Sequence, residues 1–315
     1  MLFVKETTLL NLSRYSVMCI AGLLLWPLAA RQTEAKGGSN TERLTSFDVP
    51  REIKTVSPLF GLRSLRVMSW NIDRGYQLDQ IAGEIAKEPA DLCLLQEVDW
   101  GTARVGSADI GAELARRLGL DLAYAVEFEE LSQEHGSPAY TGQATLTRLP
   151  LRRSRVLRFE NQSGFWKPHS WIPSSMPLMQ RRLGSRIALV TDLQFAGKLL
   201  VVYNAHLESR SYGRIQMNQL DEILADLQSH YPPDTPAIIG GDLNTKYFPS
   251  IFLHKLEREG FHSATGERIE RSHTIAMALD WIFVRGPLRW ESGAVRRDWK
   301  GSDHYPIRAE LVASR

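Results

Sequence analysis

Five apolar runs of this chain meet carboxylates, amides or imidazoles at one end. Leu65 to Trp70 runs into Asn71, Asp91 to Leu95 into Gln96 and Glu97, and Leu199 to Tyr203 into Asn204, Ala205 and His206. Ala237 to Gly241 runs into Asp242, Leu243 and Asn244, and Gly301-Ser302-Asp303-His304 precedes the last run. Asp280 heads its own run, Asp280 to Val284. Strands lying side by side would bring these ends to one rim and gather Asn71, Glu97, Asp242, Asn244, Asp280, Asp303 and His304 in one cleft. Hard oxygen donors with amides and imidazoles, and no cysteine among them, suit Mg²⁺ or Mn²⁺ better than zinc. Glu97 is the direct ligand expected, with Asn71 lending a carbonyl oxygen or orienting a bound water. Such an ion polarises a phosphoryl oxygen and steadies the leaving oxygen, while a nearby carboxylate or imidazole activates water for in-line attack. Taken singly, each residue has a bland explanation: a turn former, a solvated loop, or an Asx-turn at Asp242-Leu243-Asn244. Their coincidence at strand ends is what points to chemistry.

The elements that must position these residues are mostly strands. Leu65–Trp70, Asp91–Gln96, Gln143–Thr147, Arg186–Leu193, Leu199–Asn204, Ala237–Gly241, Asp280–Val284 and Ile307–Ala313 have strand composition. Several are apolar on both faces, as central strands are. The last alternates, with Ile307, Ala309, Leu311 and Ala313 on one face and Arg308 and Glu310 on the other, so it is expected to be half exposed. Helices are fewer: Leu78, Ile81 and Ile85 share one helical face, as do Ile110, Leu114 and Leu118, and then Met217, Leu220, Leu224 and Leu227. Strands outnumber helices by more than repeated βαβ units allow, which predicts an α/β fold of two packed sheets flanked by helices.

At 315 residues and 43% hydrophobic composition the chain can bury a large core. Its net charge is only +2, from 38 Lys and Arg against 36 Asp and Glu, so no overall basic field announces nucleic acid as the partner. The two cysteines, Cys19 and Cys93, lie in separate apolar runs and are not expected to form a disulfide. Lys5 and Arg14 precede the run Val17 to Ala30, VMCIAGLLLWPLAA, a leader-like pattern that predicts a signal peptide or membrane anchor over residues 1–30. Export, periplasmic or secreted, or tethering in a membrane through the N-terminus follows from it. Residues 31–60 read as a linker and entry segment, and 61–315 as the catalytic domain.

Six motifs in order carry a family signature: SWNIDRG at Ser69 to Gly75, LLQEVD at Leu94 to Asp99, NAHLES at Asn204 to Ser209, GGDLNT at Gly240 to Thr245, LDWIFV at Leu279 to Val284, and GSDHYPI at Gly301 to Ile307. Together they resemble the endonuclease/exonuclease/phosphatase superfamily, over Leu65 to about Leu311. The resemblance implies a four-layer α/β sandwich, two mixed sheets flanked by helices, and a divalent-metal site. It makes Asn71 and Glu97 metal-site residues, joined by Asp303. It makes Asp242 and Asn244 the pair that orients and deprotonates water. His304, oriented by Asp280, is implied to contact phosphate or act as the base. His206 matches the position that the deoxyribonuclease-like and sphingomyelinase-like branches use for phosphate stabilisation or proton donation.

There are departures. In GQATLTRLPL, Gly142 to Leu151, Gln143 stands where the family strand commonly has Asn, which would change a substrate contact. The abasic-site endonuclease segment is absent, since Asn-Ala-His-Leu occupies its place. Gln180-Arg181-Arg182 with Arg186 reads as a phosphate-gripping stretch, because guanidinium forks match phosphate oxygens. The stretch Phe165 to Trp171 combines aromatics with a cation that could stack bases or enter a lipid interface. His273 is expected near the cleft, and His135, His169, His230, His254 and His262 on the surface without acidic partners. The expected activity is metal-dependent hydrolysis of a phosphodiester by a monomer, on nucleic acid or a phospholipid head group. The competing readings are a phosphomonoesterase acting on a small or inositol phosphate, and a non-catalytic, envelope-tethered binding protein.

Overall fold

In a computed structural model of the chain, residues 46–55, 57–133, 136–165, 182–266 and 268–314 are described. The leader over 1–30, Cys19, Arg181, His135 and His169 lie outside the described residues. The strands are β1 (Arg51–Ile53), β2 (Ser64–Arg74), β3 (Leu92–Trp100), β4 (Asp121–Glu130), β5 (Tyr140–Thr147), β6 (Leu151–Arg158), β7 (Arg182–Gly184), β8 (Ile187–Phe195), β9 (Lys198–His206), β10 (Ala237–Asp242), β11 (His262–Ser263), β12 (Asp280–Arg285), β13 (Leu288–Val295) and β14 (Ile307–Ala313). The helices are α1 (Leu78–Lys87), α2 (Ile110–Leu118), α3 (Arg214–His230) and α4 (Pro249–Arg258). Among the described residues no helix is long and apolar enough to cross a membrane.

Two mixed sheets form. One runs β1-β4-β5-β3-β2-β14-β13, with β7 also paired to β4, and the other runs β11-β12-β10-β9-β8-β6. β2 and β3 are parallel, as are β9 and β10, and the remaining pairings are antiparallel. Three large apolar clusters separate the layers. Met68, Trp70, Cys93 and Leu95 pack with Ile81, Ile85 and Leu114 of α1 and α2. Val201, Tyr203 and Ile239 pack with Leu220, Leu224, Phe252 and Leu256 of α3 and α4. Between the sheets lie Leu65, Val67, Leu92, Leu94, Leu200, Val202, Ile238 and Ile282. The four-layer sandwich is thus helices, sheet, sheet, helices.

The pleat decides which residues reach the cleft, because successive side chains alternate between faces. Leu65 and Val67 of β2 point between the sheets, and Asn71 continues that face. Leu200 and Val202 lead to Asn204 and His206, Ile238 leads to Asp242, and Ile282 and Val284 share a face with Asp280. The polar site is therefore the end of the inter-sheet core, where apolar side chains give way to carboxylates and imidazoles.

All eight expected strands and all three expected helices form, and β14 buries Ile307, Ala309 and Leu311 while Arg308 and Glu310 stay partly exposed. The folded part begins before residue 61. Arg51–Ile53, expected within the linker, pairs with β4, and Phe47 is buried edge-to-face against Tyr140. A three-residue edge strand carries too little periodicity to stand out from a linker. Strands β4, β6, β7, β11 and β13 and helix α4 were not expected either.

Candidate active site

Asp242 is the hub. Cross-strand register sets His206 of β9 and Asp280 of β12 on either side of it. Its Oδ2 accepts from Asn71 Nδ2 at 3.2 Å and lies 3.5 Å from His206 Nε2 and 3.8 Å from His304 Nε2, while Oδ1 accepts the Asn244 N–H at 3.0 Å. Burial alone would raise this carboxyl, but His304 and His206, with the bonds from Asn244 and Asn71, hold it below the usual carboxylate range. The tight approach of β10 to β9 depends on Gly241, whose φ is +139° and whose position would bring a Cβ within 1.9 Å of the Ala205 carbonyl oxygen.

His304 is carried by the loop before β14 and fixed by Trp70, whose Nε1 donates to the His304 carbonyl at 2.9 Å. Its Nδ1 lies 2.9 Å from Asp280 Oδ2, which also accepts from Ser272 Oγ at 2.7 Å. Burial would lower this imidazole, yet Asp280, Asp242 and Asp303 together push it up to about 9, so it is cationic at neutral pH. His206 is held from behind. Its Nδ1 is 3.2 Å from Glu127 Oε2, and Arg186 Nη1 lies 2.9 Å from the ring nitrogens and 2.5 Å from Glu127 Oε1. Burial would raise Glu127, but Arg186 and His206 bring it down to about 2. His206 Nε2 is left facing Asp242 and, at 3.9 Å, Glu97 Oε1.

Glu97 sits where β3 breaks register with β5 between Leu95 and Val98, at φ +53°. β2 is irregular beside it, between Asn71 and Arg74, with Asp73 and Arg74 also at positive φ. These irregularities turn Glu97 into the mouth, where it is ion-paired with Arg74. Burial, with Arg182 and Arg104 nearby, lowers Arg74 to about 10, still cationic at neutral pH. Asp303, more than half exposed, stands at the rim 3.4 Å from His273 Nε2. The hydrogen bond from His273 and the charge of His304, against a partial burial that opposes them, bring Asp303 down to about 2. The ring of His273 meets His304 edge-on at 4.5 Å.

The structure therefore brings together Asn71, Glu97, His206, Asp242, Asn244, Asp280, His273, Asp303 and His304. It does not bring Gln143 or Arg182 into the mouth. Gln143 is fully buried, donating to the Ile187 carbonyl at 2.9 Å and accepting the Leu189 N–H at 3.2 Å, so it clips one sheet to the other. Arg182 is 3% exposed and pairs with Glu130 at 2.8 Å, in a buried network where Arg104 also grips Asp99. A guanidinium spent on buried carboxylates is not offered to a phosphate. His230 is a smaller correction, since it has an acidic partner, Asp226, at 3.3 Å. Glu127 belongs to the site although none of the six motifs contains it. Its signal was the alternation Ala123, Ala125, Glu127, which continues the inner face of β4, a strand whose acidic end hid its pattern.

Among the described residues, two groups bring potential ligand atoms within 4.8 Å of one another, Asp242 with Asp280 and His304, and His273 with Asp303 and His304. The carboxylates are the donors available in each, since the His304 imidazole is protonated and both His273 nitrogens are engaged. Their carboxylate oxygens suit a hard divalent ion, and the buried Asp280 Oδ1 has no protein hydrogen-bond partner. A groove of about 190 Å³ lined by Phe195, Leu200, Pro236 and Leu288 lies at the opposite strand ends and contains none of these residues.

The fold is shared widely. The protein titled endonuclease/exonuclease/phosphatase from Beutenbergia cavernae superposes with a TM-score of 0.59 at 19% identity, over 80% of this chain and 72% of that one. A functionally unknown conserved protein from Enterococcus faecalis gives 0.56 at 17%, over 79% and 100%. TDP2 from C. elegans gives 0.51 at 19%, over 79% and 75%. No curated protein matches the chain by sequence. The model of the Endonuclease/Exonuclease/phosphatase family matches residues 68–304, a span that opens three residues before Asn71 and closes on His304. The chain is, on that match and this fold, a member of the endonuclease/exonuclease/phosphatase family.

Proposed function

We propose that this chain hydrolyses a phosphodiester bond with the help of a divalent cation, Mg²⁺ or Mn²⁺. The observation that carries the reading is the cross-strand row His206, Asp242 and Asp280, closed by His304 and Asn71, at the end of the inter-sheet core. Glu97 and Asn71, with Asp303 at the rim, would hold the ion, which supplies charge to polarise a phosphoryl oxygen and to stabilise the leaving oxygen.

The chain's own groups divide the remaining work. Asp242, held low by its imidazole neighbours, is ionised at neutral pH and can accept a proton from an attacking water. Asn244 anchors it through its backbone N–H. His304, kept cationic by Asp280 and Asp242, is suited to bind a phosphate oxygen rather than to act as the base. His206, with Nδ1 turned to Glu127, presents Nε2 to the same space and, when doubly protonated, can donate to a phosphate oxygen or a leaving group.

The test is turnover of a soluble chromogenic diester, bis(p-nitrophenyl) phosphate, by the full chain with Mg²⁺ or Mn²⁺ and with EDTA. Asp242→Asn and His304→Ala are expected to cut turnover by about 10²–10⁴-fold with circular dichroism unchanged. Glu97→Gln should raise the metal concentration needed for half-maximal rate. Parent-like rates in Asp242→Asn and His304→Ala would end the reading.

A further inference from the structure

The described residues include large apolar side chains that stay exposed; five of them stand on the loops that carry the site, and a sixth, Ile251, stands on the first turn of α4 just beyond one of these loops. Tyr76 follows the Asp73-Arg74 turn of β2, Tyr212 follows the His206 segment of β9, and Tyr247, Phe248 and Ile251 follow Asn244. Ile275 follows His273, and its N–H donates to His273 Nδ1 at 2.9 Å. Their exposure runs from 43% at Tyr247 to 82% at Tyr212. Topology explains the clustering, since these loops leave the same rim of the two sheets. Two of the loops are tied together at the mouth: Lys246 Nζ donates to the Ser209 carbonyl at 3.2 Å, and the rings of Tyr212 and Tyr247 lie 5.3 Å apart. Phe248 holds φ +54°, a conformation costly for a bulky residue, with 68% of its surface in water. Cations flank these side chains, with Arg210 and Arg214 exposed and Arg210 lying 4.2 Å over the Phe165 ring.

We propose that this rim docks on a phospholipid membrane surface and that the cleft acts there on the phosphodiester of a lipid head group, an inference that rests on the phosphodiesterase reading above. Tyrosines with aliphatic neighbours and flanking Arg and Lys are the composition that settles at a bilayer interface, rings at head-group level and cations on lipid phosphates. A nucleic-acid strand is the poorer occupant. Two of the six side chains are isoleucines without a π-face, Tyr212 and Tyr247 meet at 49° rather than forming a parallel slot for a base, and the net charge is only +2. A protein seated on the rim would cover the mouth through which substrate enters, whereas a bilayer delivers the substrate to it. The apolar run Val17 to Ala30 suits a protein that works beside a membrane.

The experiment places a nitroxide label at Phe248→Cys in the full chain carrying Cys19→Ser. Cys93 is buried, with its thiol pushed up to about 12, so it does not compete for the label. A control label at Leu199→Cys sits at the opposite strand ends. With vesicles of phosphatidylcholine and phosphatidylglycerol, the label at 248 should gain collisions with oxygen and lose several-fold in collisions with a water-soluble nickel chelate, while the label at 199 stays wet. The triple variant Tyr212→Ser, Phe248→Ser, Ile251→Ser should lose tenfold or more of its turnover of vesicle phospholipid and keep its turnover of bis(p-nitrophenyl) phosphate. A label at 248 that stays as wet as that at 199, or that is shielded by a single-stranded oligonucleotide instead of by vesicles, overturns the docking surface. Intact turnover of the soluble diester in that case leaves the phosphodiesterase reading standing. A dry label without turnover of either substrate supports docking and overturns the lipid substrate together with the phosphodiesterase reading.

Discussion

His273 Nδ1 accepts the Ile275 N–H, so its ring proton sits on Nε2 and points at Asp303. That fixed tautomer orients a carboxylate expected to reach the metal, and partners of this kind are worth about 10-fold or more in metal affinity. His273→Leu should therefore raise the Mg²⁺ concentration for half-maximal rate by about 10-fold. His273→Gln, whose amide nitrogen replaces Nε2 as a donor, should restore most of it; equal metal requirements in parent and His273→Leu would remove the residue from the site. Glu127 makes a different prediction, about stability. Its folded value of about 2 lies below the ordinary 4.5, so its contribution is present in full above pH 4.5 and is lost as pH falls through about 2. The stability gap between parent and Glu127→Gln should shrink by on the order of 3 kcal/mol across that window in urea titrations. A gap that stays constant with pH would mean that Glu127 is not depressed.

At the scale of elements, the site depends on where strands end and how closely they approach. β10 delivers Asp242 only because Gly241 lets its backbone lie against Ala205. Gly241→Ala combines a disallowed φ with a backbone clash and should cost about 2 kcal/mol or more, read as a lower urea midpoint, with lower turnover as the β10 end shifts. Unchanged midpoint and turnover would mean the strand tolerates a Cβ there. The irregularities in β2 and β3 have the opposite logic, spending ladder bonds to turn Glu97 toward the mouth. Motif order foretold which strands end in polar residues. It could not foretell the irregularities, because an extra residue in a ladder is defined by the partner strand.

For the whole molecule, the decisive feature is a core between two sheets whose end is the cleft. Leu94 is fully buried at its centre, its Cδ1 lying 2.6 Å from where a Cβ on Gly240 of the opposite sheet would be. Leu94→Ala should cost about 2–5 kcal/mol, visible as a lower urea midpoint at unchanged slope. A change under about 0.5 kcal/mol would mean that the sheets are held apart by something other than this packing.

Residue order along the chain determined the strands with strong β-branched or Leu-rich patterns, the three amphipathic helices and the set of polar strand ends, because side-chain alternation and helical periodicity are local properties. It also pointed to the family through six short motifs. Strands β4 and β6, rich in Glu and Arg, escaped because their charges are neutralised by partners distant in sequence, such as Arg186 to Glu127 and Arg155 to Asp226. Only the tertiary structure decided that Gln143 and Arg182 are buried clips rather than substrate contacts, and that Glu127 stands behind His206. The reason is physical: whether a charged or amide side chain faces substrate or another buried group depends on which remote strand folds over it.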